Sequence, residues 1–226
     1  MKDATWNRVE PVSGKTTTAM DARTFFRLSG GALVAGSALC VVLGLFGAAT
    51  AFITQPVYIT SEYLLAAATI VLLLGLPGVY ASRAEGFGVT GLIGAVLIFP
   101  ASIMVGVFDN LYGAMVDPWL ATEAPKLASG FGPPPLFAFF NVAEVFLVVG
   151  SVLLAIPILR GKVSPRWPAT LILLSVVVGV VFFFLIPSMS STMFTSVLNQ
   201  VPTILMMAAL AGLGYQTWSK RTIATD

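Results

Sequence analysis

Six apolar runs of about 20 residues each govern what this chain can fold into. They lie approximately at 31–54, 63–81, 89–112, 136–159, 169–187 and 193–217. About 20 apolar residues in a helix cross the roughly 30 Å of hydrocarbon in a bilayer. Backbone groups in lipid find no water, so only helices or closed barrels satisfy their own hydrogen bonds there. Barrel strands alternate apolar and polar residues, and these runs do not. The expectation is an all-α polytopic membrane protein, a bundle of six transmembrane helices. Composition agrees: 57% of the residues are hydrophobic and 10% charged, whereas soluble domains carry about a quarter charged residues.

Charge placement orients the bundle. With the N-terminus inside, the cytoplasmic segments hold Lys2, Arg8, Lys15, Arg23, Arg27, Arg83, Arg160, Lys162, Arg166, Lys220 and Arg221, and only Lys126 lies outside. Basic residues concentrate on the cytoplasmic side, so both termini are expected there. The organisation is then a polar cytoplasmic tail at 1–29, a transmembrane domain at 30–218 with an outer loop at 113–135, and a cytoplasmic tail at 219–226. In that loop Asp117-Pro118 reads as an N-cap followed by proline at the first helical position, the start of a short interfacial helix.

The inventory excludes several chemistries. There is no histidine, which removes Ser-His-Asp catalysis and His-ligated zinc or haem. Cys40 is the single cysteine, so no intrachain disulfide or CxxC pair can form. No metal and no cofactor is expected, and a net charge of +2 suggests no nucleic-acid partner. Gly14-Lys15-Thr16 lacks the earlier glycine of a phosphate loop, since Val9 stands there. Gly86, Gly88 and Gly91 match GxGxxG in spacing but join two membrane helices, which reads as a tight inner turn.

Ala32, Gly36, Cys40, Gly44 and Ala48 recur every four residues in the first run. Small residues at that spacing let a second helix approach closely. The partner is either a helix of the same bundle or a second copy, a homo-oligomer through Gly36, Cys40 and Gly44.

Polar residues inside the third, fourth and sixth runs form the informative constellation. Ser102, Gly106, Asp109 and Gly113 share one helical face, with Asn110 beside them. Asn141, Glu144 and Ser151 share another, and Ser196, Asn199, Gln200 and Thr203 a third. A charge at the bilayer centre costs about 2.5–3.5 kcal/mol on the insertion scale, so these faces are expected to meet inside the bundle. With Glu62 at the start of the second run, they crowd its outer half, where Glu62, Asp109, Asp117, Glu123 and Glu144 face only Lys126. That distribution suits an outward acidic cavity for a proton, a cation or a cationic amphiphile. The candidate ligand-binding set is Glu62, Asp109, Asn110, Asn141, Glu144, Asn199 and Gln200. Glu144 stands out, because Val142, Val145 and Phe146 around it would favour the neutral acid. It is a hydrogen-bonded scaffold, a proton or cation site, or a general acid.

Between the fourth and fifth runs stands Leu159-Arg160-Gly161-Lys162-Val163-Ser164-Pro165-Arg166-Trp167. It resembles the R-x-G-x-x-P-R-W segment of uncharacterised bacterial six-helix integral membrane proteins, with the glycine here directly after Arg160. An acid late in the third helix, Asp109, is similar too. The resemblance implies that fold and the bacterial cytoplasmic (inner) membrane, and no activity. Read from the residues alone, the basic turn and Trp167 form an anchor at anionic headgroups.

Three functions compete. One is a binding or transport module. Another is a membrane-embedded carboxylate enzyme on a lipid or isoprenoid, similar in concept to terpene cyclases, with Glu144 as acid, Asp109 as its partner, and Phe137, Phe139, Phe140 and Phe182-Phe183-Phe184 shielding a carbocation. The last is a structural subunit of a membrane complex. Expected partners are membrane lipids and a cation or amphiphile. The topology has a direct test in a Cys40→Ala background. Cysteines at Ser129 and Ser164 should react with an impermeant thiol reagent from opposite sides; labelling of both from outside would refute it.

Overall fold

The structure, a computed structural model, describes residues 21–49, 54–125, 134–161, 165–185 and 197–219. Among them there is no strand. The helices are α1 (Ala22–Ala49), α2 (Pro56–Ala81), α3 (Ala84–Ile103), α4 (Asp109–Glu123), α5 (Pro134–Leu159), α6 (Trp167–Leu185) and α7 (Val201–Ser219), with a π-helical turn, Met104–Phe108, joining α3 to α4. Five stretches are long and apolar enough to cross a membrane: α1, α2, the continuous Ala84–Glu123 element, Ala138–Leu159 of α5, and Val197–Ser219. α6 carries a shorter apolar stretch, Trp167–Phe182.

The helices close into a ring. α1 packs between α2 and α7; α7 packs on α6, α6 on α5, α5 on α3, and α2 on α3, the π turn and α4. Lipid tails are as apolar as leucine, so helix association here depends on close packing rather than on water release. The contacts show that dependence. A Cβ on Gly36 would lie 2.6 Å from the Leu72 nitrogen, and one on Gly75 would lie 2.7 Å from the Leu33 nitrogen. Gly30 and Gly214 face each other between α1 and α7, and Gly94 and Gly150 between α3 and α5, again with a carbonyl under 3 Å from any added Cβ. Gly36, Cys40 and Gly44, the positions read as meeting either a helix of the bundle or a second copy, face Leu72, Thr69 and Gln200 of the same chain.

The centre of the ring is apolar. Leu33, Val79, Tyr80, Phe87, Ile98, Leu154 and Leu213 line a cavity of about 20 Å³, room for about one water molecule. Without polar partners such a space stays dry.

Two local features depart from the expected helix ends. The inner turn lies at Ser82 and Arg83, and the glycine-rich stretch is helical except at Gly88. There φ is 57° and ψ is −160°, a conformation glycine adopts without a Cβ penalty. The Tyr80 hydroxyl donates to the Gly88 carbonyl at 3.3 Å, and the Tyr80 ring stacks on Phe87. At its far end the helix does not end near Gly113, where the loop 113–135 was expected to begin, but runs through Pro118 to Glu123. Asp117-Pro118 therefore starts nothing. Gly113 and Ala114 are buried, and packing of this turn on α2 outweighs the local start signal. Residues 126–133 of that loop lie outside the described residues.

Substitution at two neighbouring glycines distinguishes close packing from mere composition. Gly36→Leu should lower stability by about 1–3 kcal/mol through overpacking. Gly31→Leu, where nothing lies within 4 Å of an added Cβ, should be neutral or stabilising in thermal denaturation. Equal losses at both would refute the interface.

Candidate functional site

The acidic side chains converge because two antiparallel helices carry matching stripes. On α2, Thr69, Glu62 and Tyr58 are separated by seven and four residues; along the π turn and α4, Gly106, Gly113 and Asp117 are separated by seven and four in the reverse direction. Those intervals keep each set on one face of its helix. Thr69 packs on Gly106. A Cβ on Gly113 would lie 3.3 Å from the Tyr58 hydroxyl and 3.5 Å from Glu62 Oε2. On the other side, a Cβ on Gly47 of α1 would lie 3.6 Å from Glu62 Oε1. The Glu62 carboxylate thus sits in a slot between two glycines, which leave it the space a larger side chain would fill.

Asp109 and Asp117 are close enough to Glu62 for their charges to repel it, and all three act on the Tyr58 hydroxyl. Asp109 in turn feels Asp117 and Glu144. The charges that bear on these groups are thus all negative. Glu62 and Asp117 are half-buried, whereas Asp109 is exposed, so the cluster opens at the rim of the ring.

The π turn sets the aim of Asp109. Its backbone N–H reaches back five residues to the Met104 carbonyl, which widens the helix immediately before the acids. Such insertions within α-helices are frequent at functional sites. The Asn110 amide donates to the Gly106 carbonyl at 2.6 Å. Asn110 therefore holds the wide turn together.

The other expected residues are distributed differently. Glu144 is exposed rather than buried among Val142, Val145 and Phe146, which are themselves 51%, 57% and 40% exposed. The reason lies in α5, whose small residues Ala143 and Gly150 are buried, with Gly150 on Gly94 and Ile98 of α3. Glu144, about 100° further round the helix from Ala143, is thereby turned outward, near Asp109. Ser151, expected on the face of Glu144, is buried. Asn141 is half-buried. Gln200 lies against Gly44 of α1, Asn199 is exposed, and Ser196 lies outside the described residues. The principal neighbours of α7 are α1 and α6; of the third polar face Gln200 meets α1, whereas Asn199 and Thr203 are exposed. The side chains of Phe137, Phe183 and Phe184 lie outside the described residues, whereas Phe139 and Phe140 make an edge contact with each other.

Three residues of note escaped the expected set. Tyr58 and Asp117 complete the acidic stripes; their spacing was visible, but the helix end expected at Gly113 concealed it. Arg83, read only as one of the basic residues of the cytoplasmic segments, is 7% exposed, and burial pushes its guanidinium below the usual arginine range.

Among the described residues no three His, Cys, Asp or Glu side chains form a group that could hold a metal ion. Comparison of the chain with protein-family models, with curated proteins and with solved structures finds no match. The class that fold and composition define is a helical membrane protein.

The register that builds the cluster can be trapped covalently. A Cβ on Gly106 would lie 3.3 Å from that of Thr69, near disulfide range. Thr69→Cys with Gly106→Cys, in a Cys40→Ala background, should cross-link on mild oxidation, whereas Thr69→Cys with Met115→Cys should not. The readout is a reductant-reversible gel shift, and its absence in the first pair would exclude this register.

Proposed function

We propose that the chain is a binding or transport protein of the bacterial cytoplasmic membrane, with six spans, both termini inside, and an outward-facing acidic groove that receives a proton or a cationic amphiphile. The observation that carries this reading is the convergence of Glu62, Asp109 and Asp117 beside Tyr58, with only negative charges acting on them. Like charges held together in a partly apolar setting repel strongly, and a bound cation relieves that repulsion. The exposed Asp109 gives access from the rim, and the apolar surface around it, including Phe108 and Met115, suits the hydrophobic part of an amphiphile. Six spans require α6, whose 19 residues reach about 28 Å at about 1.5 Å per residue.

The enzyme reading needs a shielded acid, and Glu144 is exposed. Its place beside Asp109 makes it an outlying member of the acidic groove.

Calorimetric titration of the detergent-solubilised protein with tetraphenylphosphonium tests the proposal. Wild type should bind saturably. Glu62→Gln and Asp109→Asn should each weaken binding about ten-fold, a loss of about 1.4 kcal/mol, with thermal stability retained. Glu144→Gln should weaken it by less. Unchanged affinity in the Glu62→Gln/Asp109→Asn double variant would refute the acidic groove as the binding site.

A further inference from the structure

At the opposite end of the bundle one cation has no counterpart. Arg83 lies in the turn from α2 to α3, buried, and among the described residues its Nε, Nη1 and Nη2 atoms have no hydrogen-bond partner. Backbone and hydroxyl groups of the turn pair among themselves. The Gly78 carbonyl accepts from the Ser82 N–H, the Val79 carbonyl from the Ser82 hydroxyl, and the Tyr80 carbonyl from the Arg83 N–H. The Arg83 carbonyl accepts from Gly86 and Phe87. Glu85, the acid nearest in sequence, is exposed.

A buried acid or lysine can escape the penalty of desolvation by becoming neutral; arginine cannot, since it stays protonated at any physiological pH. Five N–H donors without acceptors in a dry site call for an anion. A second observation lies on α7. Both polar atoms of the Gln216 amide are buried without a partner. Gln216 stands one helical turn beyond Leu213, which lines the central apolar cavity together with Val79, Tyr80 and Phe87, the residues flanking Arg83 in sequence. Two unsatisfied polar side chains therefore stand at one end of helices that line the same apolar space, α2 through Val79 and Tyr80 and α7 through Leu213, with α1 between them.

We propose that Arg83, assisted by the Gln216 amide, forms an oxyanion site at the inner end of the bundle that takes a phosphoryl group, from an anionic lipid headgroup or from free phosphate. The planar guanidinium fork matches two phosphoryl oxygens, and the amide N–H₂ of Gln216 supplies a further neutral donor. Headgroup phosphates lie at this depth on the cytoplasmic side, where basic pockets between helices bind them. The site is independent of the acidic groove, which lies at the outer rim on α2 and α4.

The test uses the delipidated full-length protein in neutral detergent and reads thermal stability. Sodium phosphate is titrated against sodium chloride at equal ionic strength, and phosphatidylglycerol against phosphatidylcholine. A saturable rise with either anionic probe supports the site: a response to phosphate identifies a free-anion site, and a response to phosphatidylglycerol alone identifies a lipid headgroup. Arg83→Met should abolish the response, and Gln216→Leu should weaken it. If the methionine variant does not fold, Arg83→Lys carries the comparison. Lysine lacks the fork, so its apparent affinity should fall about ten-fold. No response in wild type, or a response undiminished in Arg83→Met or, failing that, in Arg83→Lys, would overturn the proposal.

Discussion

Close approach of helix backbones at glycine is the constraint on which the rest of the structure depends. In lipid a leucine gains little by leaving its neighbours for another helix, so the ring must be held by contacts that lipid cannot make. Gly36 against Leu72, Gly75 against Leu33, Gly30 against Gly214, and Gly94 against Gly150 bring α1–α2, α1–α7 and α3–α5 together at backbone distance. Few interhelical hydrogen bonds supplement them. The clearest runs from the Ser175 hydroxyl of α6 to the Pro202 carbonyl of α7 at 2.8 Å.

The acidic cluster follows from the same packing. α1 and α4 both approach α2 through glycine, at Gly47 and Gly113, and Glu62 occupies the space between them. Replacing either glycine by a larger residue would fill the slot rather than merely loosen the helices. Scaffold and site are thus one arrangement, with the π turn as an irregularity immediately before Asp109. Holding a half-buried carboxylate near two others is unfavourable in itself.

Charge is also arranged along the bundle axis. Among the described residues Glu62, Asp109 and Asp117 gather at one end of the bundle, and Arg83 is buried without a hydrogen-bond partner at the other. The small cavity near the Arg83 end is lined mainly by apolar side chains.

The fold class was legible in the six apolar runs, because a backbone in lipid must hydrogen-bond to itself and only long helices do so at this composition. The acids Glu62 and Asp109 were legible too, since a charge within an apolar run, as Asp109 is, or at its edge, as Glu62 is, stands out. Which residues they meet was not. Helical periodicity places Asn141 and Glu144 on one face of α5 but does not say which way that face turns. The packing of Ala143 and Gly150 decided it, and turned Glu144 outward. Asp117-Pro118 carried a strong local start signal, yet burial of Gly113 and Ala114 carried the helix through it and brought Asp117 onto the stripe of Asp109. Arg83 looked like any loop arginine, since a sequence shows where a charge stands along the chain but not what will cover it. The sequence by itself determined the solvent, the helices and the sign of charge at each end, because these depend on local composition. Only the tertiary structure decided which acids share a site and which cation is stranded, because rotation and register are set by small-residue contacts between helices far apart in the chain.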